Sequence, residues 1–420
     1  MIMRQFWFFR VIIAFIHILF LSFFSCSNSG QRSAVIWTDR PEFAFYADYF
    51  NTSQDQYRVE VRYFDSPARQ LIDSKEFPDI IAGNWLKGAS TRIFFTPLDG
   101  LLNNKNLSQD DFYQRLLAMG RIDNKQYLLP VSFNAPLVIL SREKADLLSN
   151  PRTIGFEEIK TLSKNYNREK NGVYTRMGFS PAWDDDFLFI SAALFNVSFR
   201  EANPLAWDAQ ALDRAMNFAY EWTCSINSGI QAEDDFRFKY FYESPARLVL
   251  SGRILFTYIS SEDFFTLAEE RRNNLDFRWI AEKNTIPLYE DSTYMGMAKK
   301  GKAHKAAKAF ILWFYQTDTQ RQFLEKSREK RMFETSFGIG GGFSALRSVT
   351  EQIFPQFYPE LLGHMPPEEF LSPANILPWN WAALKERCIL PYLRERARQP
   401  GRDNIYPLER RIADWLRLNS

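Results

Sequence analysis

Residues Asn124–Leu148 read NKQYLLPVSFNAPLVILSREKADLL, and the way this stretch divides decides the architecture. Tyr127 to Leu129 is a short β-prone run that Pro130 breaks, since proline donates no ladder hydrogen bond. Pro136 to Leu140 is a second apolar strand before a helix. Two extended segments meeting at a polar-aromatic corner suit a hinge between domains. A chain of 420 residues is long enough for two.

Upstream, SAVIWTD (Ser33–Asp39) is a β-prone run, followed by a helical pattern with Phe43, Tyr46, Ala47 and Phe50 on one face. QYRVEVRYFD (Gln56–Asp65) alternates as a half-buried strand, ARQLIDSKEF is helical, and PDIIAGNWL (Pro78–Leu86) opens with an apolar strand. This β-α-β-α-β order implies a parallel sheet flanked by helices. Ligands collect at the carboxyl ends of such strands, where Asp39-Arg40 and Asn84-Trp85-Leu86-Lys87 fall. Asp39 either caps the helix starting near Pro41 or contacts a ligand. Trp85, in a polar loop, offers a stacking face.

TPLDGLL then forms a turn and FYQRLLAMG a helix. Together with VIWTDRPEFAFYADYFN, YRVEVRYFD, PDIIAGNWL and YLLPVSFNAPLVIL, this order resembles an extracellular solute-binding protein of an ABC importer, of the type related to maltose-binding protein. ARLVLSGRILFTYISS looks like that family's return crossing. IAEKNTIPLY and YMGMAKKGKAHKAAKAFILWFYQTDTQRQFL look like its strand, loop and long-helix signature. The likeness runs from about Val35 to Leu324 and is weaker beyond. It implies an α/β, two-lobed periplasmic-binding-protein fold of type II, each lobe a sheet flanked by helices, joined by a multi-strand hinge and closing on a ligand. Lobe 1 is expected at 34–134 and 277–314, and lobe 2 at 135–276 and 315–420. Ligand-facing positions implied by the resemblance are Asp39, Arg40, Trp85, Lys87, Phe133, Asn134, Ser260, Tyr294 and Gly296.

In the second lobe, Trp183 precedes three aspartates. Asp184 and its neighbours either cap the helix near Phe187 or meet the ligand; the loop spacing of a calcium site is missing. Trp183 is placed to stack on a ligand from the wall opposite Trp85. Trp379 and Trp381 either reach the cleft or pack the final helices. The closing PLERRIADWLRL is amphipathic, with Leu408, Ile412, Trp415 and Leu416 on one face.

The first 26 residues, MIMRQFWFFRVIIAFIHILFLSFFSC, have the parts of an export signal: Arg4 and Arg10, an apolar run from Val11 to Phe24, then Ser25-Cys26. Fourteen helical residues span about 21 Å, short of the roughly 30 Å hydrocarbon core. The end resembles a relaxed bacterial lipobox, with Phe23-Phe24 departing from the usual leucine and small residue. Residues 1–25 therefore read as a signal peptide, Cys26 as the lipid attachment site, and 26–33 as a tether. No charged acid precedes Cys26, so the remainder carries 50 charges of each sign and shows no basic excess for nucleic acid. Cys224 and Cys388 stand in no metal-ligand spacing and either pair or remain free. The glycine run GIGGGFSALRS lacks the phosphate-loop lysine and reads as a mobile turn, and no GxSxG or HExxH occurs.

The expectation is a monomeric, non-catalytic, cofactor-free lipoprotein. It would capture a sugar or oligosaccharide and deliver it to ABC permease subunits. Paired aromatic and polar groups would equally suit a peptide or aromatic amine. A sensory or structural lipoprotein on the same fold is the alternative, and an exported glycosidase would need two acids within about 5–10 Å.

Overall fold

A computed structural model describes residues 33–104, 107–399 and 404–419. The leader and Cys26 lie outside the described residues.

Strands β1 (Ala34–Thr38), β2 (Val59–Tyr63), β3 (Ile80–Gly83), β4 (Leu128–Phe133), β5 (Pro136–Ser141), β6 (Thr257–Ser260), β7 (Leu275–Ile280) and β8 (Thr293–Met297) build two sheets. The first has the order Phe343–Ser344, β4, β8, β3, β1, β2; the second has the order Thr153–Ile154, β7, β5, β6. β1 pairs in parallel with both β2 and β3, as the β-α-β-α-β pattern requires. β8 inserts antiparallel between β3 and β4, so an inner strand of the first sheet arrives from far along the chain.

Pro130 does not end β4. It faces Tyr294 beside a register shift in β8, where the missing N–H leaves a ladder that is already irregular. The strand after the hinge ends in a 3-10 turn, Arg142–Leu147, not in an α-helix, and TPLDGLL folds partly as the short helix Asp99–Leu102. β2 lies at the sheet edge; Val59 is buried but Tyr63 is exposed, so its alternation is incomplete.

Helix α1 (Glu42–Ser53) buries Phe43, Tyr46, Ala47 and Phe50, the face read from the sequence. In the second lobe α2 (Asp185–Leu194) and α3 (Ala209–Ile226) cover the sheet, and the short α4 (Ser261–Thr266) follows β6. Against α1 pack α5 (His304–Phe314) and α6 (Thr317–Glu329). Tyr46 stacks on Phe323 at 4.2 Å, and Phe43 on Phe314 at 5.6 Å. Each such pair contributes about 0.5–1.5 kcal/mol beyond area burial. They hold α5 and α6 on the first lobe.

The lobe boundaries therefore move. β7 lies in the second sheet, between Thr153–Ile154 and β5, so the chain has not yet crossed at residue 277. α6 and the strand Phe343–Ser344 belong with the first lobe, not the second. The glycine run is no mobile turn: Gly340 and Gly341 are buried, and Gly338, Gly340 and Gly341 take positive φ. A Cβ on Gly338 would lie 2.3 Å from the Gly342 carbonyl oxygen, so only glycine fits that turn. Beyond residue 377, α7 (Leu390–Arg398) and α8 (Leu408–Asn419) pack onto the second lobe, with Leu408 and Ile412 buried and Trp415 against the same cluster. Among the described residues, Cys224 and Cys388 are both free, one exposed and one buried.

Candidate functional site

The carboxyl ends of β1, β3 and β4 and the amino end of β8 lie along one edge of the first sheet. This follows from the register pairing Tyr294 with Gly83 and Thr293 with Ser132. The loops at that edge bring Arg40, Asn84 and Thr293 into contact. Arg40 Nε donates to Thr293 Oγ1 at 3.0 Å and Nη2 to Asn84 Oδ1 at 3.3 Å, while its own carboxylate neighbour Asp39 lies 3.9 Å from Nε. Asn84 N donates to Asp39 Oδ2 at 3.3 Å. Gly83 is small because a Cβ there would sit 2.9 Å from Asp39 Oδ1. Asp39 thus links the ends of β1 and β3; it makes no side-chain cap to α1, whose N-terminal neighbour is Pro41.

The hinge converges on Asn134. Its Oδ1 accepts from Ser261 Oγ at 2.7 Å, its Nδ2 donates to the Gly341 carbonyl at 2.7 Å, and its own carbonyl accepts from Tyr289 N at 3.0 Å. One side chain and its backbone tie four separate passages of chain. Glu262, at the start of α4, accepts from Asn134 Nδ2 at 3.3 Å and acts on Arg40 across the lobe boundary.

The electrostatics of this region are strongly perturbed. Burial outweighs Arg40 and raises Asp39 and Asp291 above the usual carboxylate range. Burial also pushes Glu262 up to about 7, opposed by Arg40 and reinforced by Asp291 and Glu42. Burial pulls Lys87 down to about 8, with Asp291 opposing. Among the described residues, the Asp291 carboxylate bonds to no other residue and Lys87 makes no hydrogen bond or ion pair; its Nζ rests 4.3 Å from the Tyr294 ring centre. A carboxylate and a buried ammonium, each without a bonded partner among the described residues, thus act on one another at this end of the sheet.

Glu262 sets a pH dependence. A carboxyl whose folded pKa lies above its ordinary 4.5 binds its proton more tightly in the folded chain. Its contribution is fully present below about 4.5 and is lost as pH rises through about 7. Unfolding free energy from urea titrations is expected to fall across this window, and Glu262→Gln to flatten part of the fall. A wild-type rise over that range, or an unchanged slope in the variant, would contradict the assignment.

The sequence-derived residues separate into two groups. Asp39, Arg40, Asn84, Trp85 and Lys87 gather at the sheet edge, and Trp85 and Trp379 pack against one cluster that includes Leu86, Phe95 and Tyr294. Gly296 is packed into the same buried cluster: a Cβ there would lie 2.6 Å from Leu128 and Phe95. Tyr294 is buried and its hydroxyl donates to the Leu116 carbonyl, leaving its ring as a seat for Lys87. Phe133 is buried between Tyr113 and Phe343. Asn134 is committed to the hinge.

Ser260 caps α4, accepting from Asp263 N and donating to its carboxylate. Asp184 caps α2 through Asp186 N and Phe187 N, and burial raises it to about 6. Trp183 stacks on Phe236 at 5.8 Å within the second lobe, and among the described residues its buried Nε1 has no hydrogen-bond partner. Trp381 is buried and donates to Glu290. Glu262, Asp291 and Thr293 escaped sequence reading. Their only signal was position, immediately beside the crossing segments.

A family model described as bacterial extracellular solute-binding protein matches residues 46–328, more than half of the 420-residue chain. The chain belongs to this family. Solved structures share the fold of this extracellular solute-binding protein across nearly their whole length. A cyclic α-maltosyl-1,6-maltose binding protein from Arthrobacter globiformis is 15% identical with a TM-score of 0.61, covering 91% of this chain and 97% of that one. An ABC substrate-binding protein from Listeria monocytogenes, solved with cycloalternan, gives 12%, 0.58, 91% and 96%. The maltose/maltodextrin-binding domain from Bdellovibrio bacteriovorus, bound to maltotriose, gives 14%, 0.55, 92% and 100%. Identities this low establish the fold alone. Among curated proteins no sequence match is found. As an extracellular solute-binding protein, the chain acts outside the cytoplasm.

Proposed function

We propose that this solute-binding protein captures a neutral polyhydroxylated solute, a sugar or short oligosaccharide, between its lobes and delivers it to an ABC permease while anchored through Cys26. The observation that carries this reading is that Asp291 and Lys87, near the half-buried indole of Trp85, have side-chain groups with no bonded partner among the described residues. A carboxylate accepts hydroxyl protons, an ammonium donates to hydroxyl oxygens, and an indole covers the apolar face of a sugar ring. Among the solved structures of like fold are a binding protein for cyclic α-maltosyl-1,6-maltose and two proteins holding cycloalternan and maltotriose, which supports the class. Asp39, Arg40 and Asn84 would shape the floor, with Trp379 at the wall.

The test is a thermal-shift screen of mono- and oligosaccharides, dipeptides and aromatic amines. A ligand that binds only the folded chain at a hundredfold its Kd adds about 2.7 kcal/mol to stability. A saturable rise in Tm is expected for a saccharide. A rise confined to the peptides, or to amines whose effect Trp85→Ala abolishes, would overturn the reading.

A further inference from the structure

A cavity of about 760 Å3 lies on the second lobe, apart from the cleft. It is walled by the end of α2, by α3, and by two hinge passages, Glu282–Glu290 and Ser372–Leu377. None of Asp39, Arg40, Asn84, Trp85, Lys87 or Glu262 lines it, nor does any residue of the first sheet. Its volume falls within the roughly 300–1,000 Å3 of small-molecule sites. Phe189, Phe195, Phe199 and Phe218 supply aromatic walls, and Glu290 reaches it from the hinge.

Glu290 is a built feature. The residue is only 7% exposed. Oε1 takes both of its donors, Lys385 Nζ at 2.7 Å and Trp381 Nε1 at 3.2 Å. Oε2 bonds to nothing among the described residues and is not sealed from solvent. Lys385 is shared, since its Nζ also lies 2.9 Å from Asp186. Burial alone would lower this ammonium, and Glu290 with Asp186 outweighs it and raises it. One fixed cation therefore stands between two carboxylates, leaving one negative charge in excess. At the rim, the charges of Glu157 and Glu282 are matched by Arg214 and Lys283.

We infer that this cavity is a second binding site, for a small organic monocation carrying aromatic or alkyl surface. The ammonium would pair with Glu290 Oε2, and the phenyl rings would accept its positive charge on their faces. Lys385 already shows that contact here: its Nζ stands 4.3 Å from the Phe189 ring centre. The occupant would touch both hinge passages, which pair in parallel at Ile286 and Leu371, without bridging the lobes. The site is independent of the saccharide reading and stands or falls separately.

Benzyltrimethylammonium titrated into the intact chain by calorimetry is the test. One saturable site is expected. Glu290→Gln, which keeps an acceptor for Trp381, is expected to weaken it at least tenfold, and Ala193→Trp, which fills the cavity, to abolish it. Glu262→Gln, which removes a charge from the cleft, should bind the cation as wild type does. Absence of saturable binding, wild-type affinity in Ala193→Trp, or an equal loss in Glu262→Gln would overturn the site. Should Glu290→Gln fail to fold by circular dichroism, the Ala193→Trp result decides.

Discussion

Arg40→Met is expected to destabilise the chain by about 3–5 kcal/mol, the cost of removing one partner from a buried set of charges. Arg40 is the cation that Asp39, Asp291 and Glu262 all face. Its side chain is only 16% exposed, and it holds Thr293 and Asn84 together. Methionine fills similar volume but leaves three carboxylates facing one another with one fewer counter-charge. Their pKa values would rise further, so the loss should be larger above pH about 7 than near pH 4.5, where Glu262 is protonated. Urea unfolding at two pH values measures both effects. Arg62→Met, removing an exposed pair with Glu76, should change stability by less than about 1 kcal/mol. An Arg40 variant as stable as that control would show the cleft charges to be well solvated.

Trp85→Ala should weaken saccharide binding at least tenfold, about 1.4 kcal/mol. The residue takes φ 60°, a left-handed conformation uncommon for a bulky side chain. That strain, roughly 1 kcal/mol or more, persists at a loop whose geometry aims an indole between the clusters of the two lobes. Trp85→Gly separates the two roles. Glycine relieves the backbone and removes the ring, so it should lose affinity as alanine does while unfolding later than alanine. Trp85→Phe should keep most of the affinity. Equal binding by wild type and Trp85→Ala, read by calorimetry, would remove Trp85 from the site.

Much of the first lobe was legible because its contacts are local. The β1-α1-β2 and β3 pattern sets which faces are buried, and strand ends place Asp39, Arg40, Asn84 and Trp85 by parity alone. The hinge at Asn134 was legible as a corner between two apolar runs. What Asn134 does there was not: its partners Ser261, Tyr289 and Gly341 lie 127 or more residues away. The same applies to Gly296, which the resemblance implied to face a ligand but which lies in a strand where Phe95 and Leu128 close over it. The lobe boundary failed for a related reason. β7 and α6 carry ordinary strand and helix patterns, and only pairing with β5 and stacking on Tyr46 assign them to a lobe.

The sequence by itself determined the class of fold, the α/β alternation, the place of the first crossing and the loops that flank a cleft. These rest on periodicity and on proline, glycine and capping chemistry within a few residues. The tertiary structure alone decided which charges meet. Glu262, Asp291 and Arg40 sit on three separate passages, and their altered protonation arises from shared burial, which no local spacing encodes. The charges that Arg40 meets thus include Asp291 and Glu262, far along the chain, as well as its neighbour Asp39.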